Sequence, residues 1–110
     1  MDQTREGYRL LICNCPPEKA SGIAENLVQE RLVACANIVP GVESVYRWKG
    51  ELCRDRESTL LLKTRAALVD AVTRRIVELH PYEVPEVLSV ELQLAEGERR
   101  YFDWIDRETA

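Results

Sequence analysis

The chain has 110 residues, one domain's worth, and enough to bury roughly two-thirds of its unfolded surface around a single core. Fifteen Lys and Arg stand against nineteen Asp and Glu, and the net charge of -4, which would repel a phosphate backbone, argues mildly against a nucleic-acid partner. Charged residues are interspersed rather than blocked, and no apolar run approaches the ~20 residues needed to cross a bilayer.

Residues 1–7 are polar and mixed in charge, without the apolar stretch of a signal peptide. They read as a flexible N-terminal segment before a single domain at 8–110, in a cytoplasmic protein. Cys13, Cys15, Cys35 and Cys53 have no disulfide-framework spacing and read as free thiols of a reducing compartment.

Tyr8 to Cys15 is an apolar run of strand length, halted by Pro16-Pro17. The period then changes. Ala20, Ile23, Ala24, Leu27, Val28 and Leu32 recur at three- and four-residue intervals, one stripe of a helix that Pro17 and Glu18 suit at its start. Val33 to Trp48 reads as a long strand with an edge or bulge at Pro40-Gly41, because proline cannot donate to a ladder. Trp48-Lys49-Gly50-Glu51 is a turn, and a second long run follows it, polar at Arg54 to Glu57 and apolar at Leu60 to Leu62. Such a hairpin overreaches the body of so small a domain, and it would aggregate unless another chain covered it. The expectation is a homo-oligomer.

A second helical stripe, Leu68, Val72, Ile76 and Leu79, is expected to start from Thr64 as N-cap and to end at His80-Pro81. Val84 to Leu94 reads as the last strand, Ala95 to Glu98 as a turn, and Tyr101, Trp104 and Ile105 as one face of a short C-terminal helix. The order predicts an α+β fold, a ferredoxin-like βαββαβ sandwich with a long hairpin between its second and third strands and an extra C-terminal helix. In that topology the second helix runs in the direction of the first strand. His80, the only histidine, then falls at the same end of the domain as Cys13 and Cys15.

A thiolate and an imidazole at one end of a sheet suit copper or zinc, although Cys-x-Cys with one histidine completes no four-ligand zinc site. The plainer reading makes Cys13 a small buried apolar residue and His80 a helix terminator. A Cys-His nucleophile lacks a nucleophile turn and a clear orienting carboxylate. Asp55, Glu57, Glu83 and Glu86 could serve as acid-base pairs or hard-metal ligands, or simply as solvated charges on a hairpin and a rim. RNA-recognition domains share this topology but stack bases on aromatic residues of the first and third strands. Here Ser58 to Leu62 offers none and the first strand only Tyr8.

Five separated strings then matter together: Leu32 to Tyr46, Trp48-Lys49-Gly50, Leu62 to Arg65, Leu79-His80-Pro81-Tyr82-Glu83-Val84-Pro85-Glu86, and Tyr101-Phe102-Asp103-Trp104-Ile105. In order and interval they resemble the divalent-cation tolerance protein CutA family, from about Tyr8 to Ile105. The resemblance implies a homotrimer whose long hairpins form intersubunit sheets, an architecture shared with PII-like signalling proteins, and tolerance of copper and other divalent metal ions without catalysis. It carries weak copper binding onto Cys13 and His80. Where some members have a second histidine this chain has Leu79, and Glu83 stands where relatives carry Gln. The alternative is a PII-like signalling or scaffold trimer taking a small anionic ligand or a partner protein in its intersubunit clefts. Lys63, Arg65, Tyr82, Glu83, Glu86 and Trp104 are the candidate cleft or rim residues.

Overall fold

A computed structural model describes residues 7–93 and 96–110. Strand β1 (Tyr8–Cys15) leads to helix α1 (Pro17–Gln29), then to β2 (Cys35–Trp48) and β3 (Glu51–Arg65). A 3-10 turn (Ala66–Leu68) opens into α2 (Val69–Leu79), followed by β4 (Leu88–Leu92) and α3 (Arg99–Glu108). The four strands form one sheet in the order β2-β3-β1-β4, every neighbouring pair antiparallel. This is the expected ferredoxin-like order.

Strand alternation decides where the core lies. Leu11, Cys13 and Cys15 point to one face of β1, and their cross-strand partners Leu62, Leu60 and Ser58 share it. Helices α1 and α2 cover that face with Ala20, Ile23, Ala24, Leu27, Val72 and Ile76, all buried. Each large aliphatic side chain so buried contributes roughly 1.5–3 kcal/mol. The opposite face carries Leu10, Ile12, Leu61 and Val90. Helix α3 covers only its corner, packing Phe102 and Ile105 against Tyr8, Leu92 and Ala34.

The hairpin leaves this body. β1 pairs with β3 only as far as Ser58, so Val42 to Glu57 forms a two-stranded ribbon beyond it, and the molecule is 44 Å long against 25 Å in its other directions. Its tip is a two-residue turn with Lys49 at φ 50° and Gly50 at φ 81°, the left-handed pair that matches strand twist. The ladder slips at Pro40-Gly41, between Val39 and Val42, as proline requires.

Three boundaries differ from expectation. Thr64 is no cap: it lies inside β3, fully buried, and its hydroxyl donates to the Leu32 carbonyl at 2.6 Å. Val28 leaves the α1 stripe and is 40% exposed. The last strand is five residues, because continuing the β1 register would set Pro85, which has no N–H, opposite Cys15. Leu94 and Ala95 of the expected strand end and turn lie outside the described residues. So does the N-terminal segment except Gly7, whose carbonyl accepts from the Ala66 amide at 2.9 Å.

Candidate functional site

The end of α2 meets the end of β1 as the topology requires. His80 is 6% exposed, and its Nε2 lies 2.8 Å from the Asn14 carbonyl while its Nδ1 lies 3.2 Å from the Tyr82 amide. A carbonyl only accepts and a backbone amide only donates, so geometry selects the neutral imidazole with the proton on Nε2. The ring packs on Tyr82 at 4.6 Å between centroids. The Tyr82 hydroxyl donates to Glu57 at 2.8 Å, and the Thr59 hydroxyl donates to the Asn14 side chain at 2.6 Å. One hydrogen-bonded network thus ties β1, β3 and the segment after α2.

Cys13 and Cys15 sit beside this network on the helix-covered face, both fully buried. Burial, then Cys15, Glu86 and Glu57 nearby, pushes the Cys13 thiol up to about 12. Burial followed by Glu57 and Glu18 pushes Cys15 up to about 11. Both are thiols, not thiolates, at neutral pH, whereas metal ligation needs the thiolate. Among the described residues no three His, Cys, Asp or Glu side chains converge as a metal site. His80 lies at the end of the domain that holds Cys13, as expected from the topology, but the resting state of the two fits copper poorly: one proton must leave and the Tyr82 amide must release Nδ1.

A cleft of about 580 Å³ opens between the ribbon and residues 82–86. Tyr46, Trp48 and Tyr82 supply aromatic walls, and Glu57, Glu83 and Glu86 supply carboxylates. Burial and the Glu57 charge raise the Glu86 carboxyl above its ordinary range. Burial and the hydrogen bond to Glu57 raise the Tyr82 hydroxyl. At the mouth Lys49 lies 3.9 Å from the Glu83 carboxylate.

The six expected cleft residues fall into two groups. Tyr82, Glu83 and Glu86 line the cleft, whereas Lys63, Arg65 and Trp104 belong to the other end of β1, where Arg65 pairs with Tyr8. Lys63 hydrogen-bonds the Asn37 side chain and stands 4.0 Å from the Cys35 sulfur. Arg65 reaches Thr109 and the Ala110 carbonyl, at 2.8 and 2.6 Å. Trp104 packs on Tyr101 at 5.4 Å. Asn14, Thr59 and Tyr46 escaped the sequence reading. Their only signal there is strand parity, which puts Asn14 and Thr59 opposite each other once the register is known.

A four-stranded antiparallel sheet with an overlong central hairpin and a His-Pro-Tyr corner narrows the candidates, and one comparison decides among them. The family described as CutA1 divalent ion tolerance protein matches residues 9–108. The chain belongs to that family. The CutA of Thermus thermophilus, a divalent-cation tolerance protein, is 50% identical over 92 residues, which are 84% of this chain and 87% of the relative. The rice chloroplastic CutA is 42% identical over 95 residues, 84% of this chain but 52% of the longer rice protein. The chain therefore spans about half the length of that plant relative.

Solved CutA structures agree with the fold. The Thermus thermophilus CutA1 structure superposes with a TM-score of 0.88 at 43% identity, covering 94% of this chain and 99% of its own. The PII-like CutA from Nostoc, in apo form, gives 0.89 at 41% identity, covering 93% and 97%. The CutA motifs read from the sequence thus identify the family correctly. Among the described residues no helix is long and apolar enough to cross a membrane.

Proposed function

We propose that the chain is a divalent metal-ion tolerance protein that acts as a cytoplasmic homotrimer, by binding rather than by catalysis. Membership of the CutA1 family over residues 9–108 carries this reading. The trimer is supported by two surfaces that a lone chain leaves bare. One is the ribbon from Val42 to Glu57, since two-stranded hairpins are marginal alone in water. The other is the open sheet face, where Leu88 and Val90 are 54% and 45% exposed beside Leu10, Ile12 and Leu61. Sedimentation at micromolar concentration should give three times the chain mass, and a monomer there would overturn the assembly. Free thiols at all four cysteines support the reducing cytoplasm.

Copper capture at Cys13 and His80 is the finer part of the proposal. It is weak for a stated reason: binding must deprotonate a buried thiol and break the Tyr82 amide bond to Nδ1. Calorimetric titration of the trimer with copper should give a weak stoichiometric isotherm that His80→Ala and Cys13→Ser both diminish. Identical isotherms for wild type and both variants would remove these residues from the site. For the alternative, a PII-like signalling or scaffold trimer taking a small anionic ligand or a partner protein in its intersubunit clefts, Arg65 is the less available cation, because Thr109 and the Ala110 carbonyl already engage it.

A further inference from the structure

We propose that the two faces of the ribbon are the two halves of one ionic contact between copies of this chain, the basic face of one ribbon lying in the acidic cleft of the next copy. The inference rests on the homotrimer proposed above and names the surfaces that would build it. Strand parity sorts the ribbon's side chains. Glu51, Asp55 and Glu57 fall on the side of the open sheet face, with Tyr46 and Trp48. Arg47, Arg54 and Arg56 fall on the side of the helices, with Val45 and Leu52.

The first observation is this segregation of charge. The helix side of the ribbon carries three arginines and one carboxylate, Glu43, whereas the open side carries three carboxylates and neither lysine nor arginine. Like charges crowded on one face weaken a ladder, so the pattern works against the ribbon on its own. Among the described residues Arg47, Arg54 and Arg56 are exposed and make no ion pair or side-chain hydrogen bond. Side chains on opposite faces of a strand point away from each other. The two sets can therefore meet only between copies.

The second observation is one of symmetry. A patch that meets itself yields pairs, whereas a closed ring of three needs two different surfaces that fit each other head to tail. The ribbon supplies two such surfaces, opposite in sign, on an element that already projects from the body.

The third observation is what accompanies the charges. Val45 and Leu52 lie exposed beside the arginines, and Tyr46 and Trp48 lie exposed beside the carboxylates. The cleft of about 580 Å³ adds Glu83 and Glu86 to the acidic side. Arginine set against carboxylates and aromatic faces is the mix that protein interfaces favour. A neighbour's arginines would find both there.

The test uses the full-length protein and reads its assembled mass by sedimentation across a dilution series. Arg54→Glu with Arg56→Glu turns the basic face acidic, and Glu51→Arg with Asp55→Arg turns the acidic face basic. Either charge-reversed chain alone sets like charges together at every contact, and the concentration at which it dissociates should rise about tenfold or more above the parent's. Mixing the two chains alters neither ribbon, yet it lets each reversed face meet its complement. A mixed ring of three keeps one repulsive contact instead of three, so the mixture should regain trimer mass where each chain alone has lost it. Arg74→Glu with Arg107→Glu makes the same change in net charge at exposed helix positions and should assemble like the parent. A monomeric parent overturns the trimer and this contact together. A trimeric parent whose charge-reversed chains assemble just as it does overturns the contact alone. So does a mixture that stays dissociated, or a helix variant that dissociates as readily as the ribbon variants.

Discussion

Leu60 and Leu61 are adjacent in the chain and meet opposite fates. Leu60 is fully buried beneath the helices, opposite Cys13, whereas Leu61 lies on the open face opposite Ile12, where α3 reaches only the far corner. The covered face is complete within one chain. The open face and the ribbon that extends it hold apolar surface and carboxylates that one chain does not finish. The contrast separates what folds this protein from what it can bind.

The contrast is sharpest in the core. Leu62→Ala should destabilise the protein by about 2–5 kcal/mol in denaturant titrations, with the same loss at every protein concentration. Leu61→Asp should act in the other way, lowering the assembled mass in sedimentation while far-UV dichroism keeps the secondary structure. A loss of secondary structure equal to that of the core variant would erase the distinction between the faces.

His80→Ala is the next largest effect. It leaves the Asn14 carbonyl and the Tyr82 amide without their partner, and a cost of about 1–3 kcal/mol is expected from the same titrations. No measurable loss would show that the network is not structural.

The thiols supply a pH test. Burial holds Cys13 and Cys15 protonated up to about 12 and about 11, while in the unfolded chain they ionise near the ordinary 9.0. Above that ordinary value the unfolded state releases its protons first, so stability falls as pH rises toward the folded values. Cys13→Ala should make the alkaline decline of melting temperature shallower than in wild type. An unchanged slope would contradict the burial of that thiol. Glu86→Gln gives the smallest effect. Because burial and Glu57 raise the Glu86 carboxyl, its ionisation opposes folding, and the variant should melt slightly higher at pH 7. The gain should vanish in acid, where the wild-type carboxyl is protonated.

Much of this was legible in the chain because it is local or periodic. The α2 stripe of Val72 and Ile76, the slip at Pro40-Gly41 and the turn at Lys49-Gly50 follow from spacing and backbone chemistry alone. The meeting of His80 with the end of β1 followed from topology, one step further from the residues. Thr64 misled because its local pattern suits a cap, while the β3 register, a long-range fact, turns it into the core. Asn14 and Thr59 carried no local signal; only pairing across the sheet joins them. The cleft was hidden for the same reason. Its walls come from positions near 46, 57 and 82, and no spacing rule links a ribbon strand to the corner after a helix.

The slip at Pro40-Gly41 works as a phase shifter. Val39 and Val42 are an odd number of residues apart, yet both stand opposite residues of one β3 face, Thr59 and Glu57. Were the ladder to run on without the slip, Gly41 would stand opposite Glu57 and the outer half of β2 would be rotated by half a period. Such an unslipped pairing would turn Val45 and Arg47 toward the side of Glu57 and carry Tyr46 and Trp48 to the opposite face, whereas deleting Gly41 would keep Val42 opposite Glu57 and leave both series in place. The slip, by absorbing one residue, thus sets which of two alternating side-chain series, one aromatic and one aliphatic and basic, the outer ribbon shows to the carboxylates.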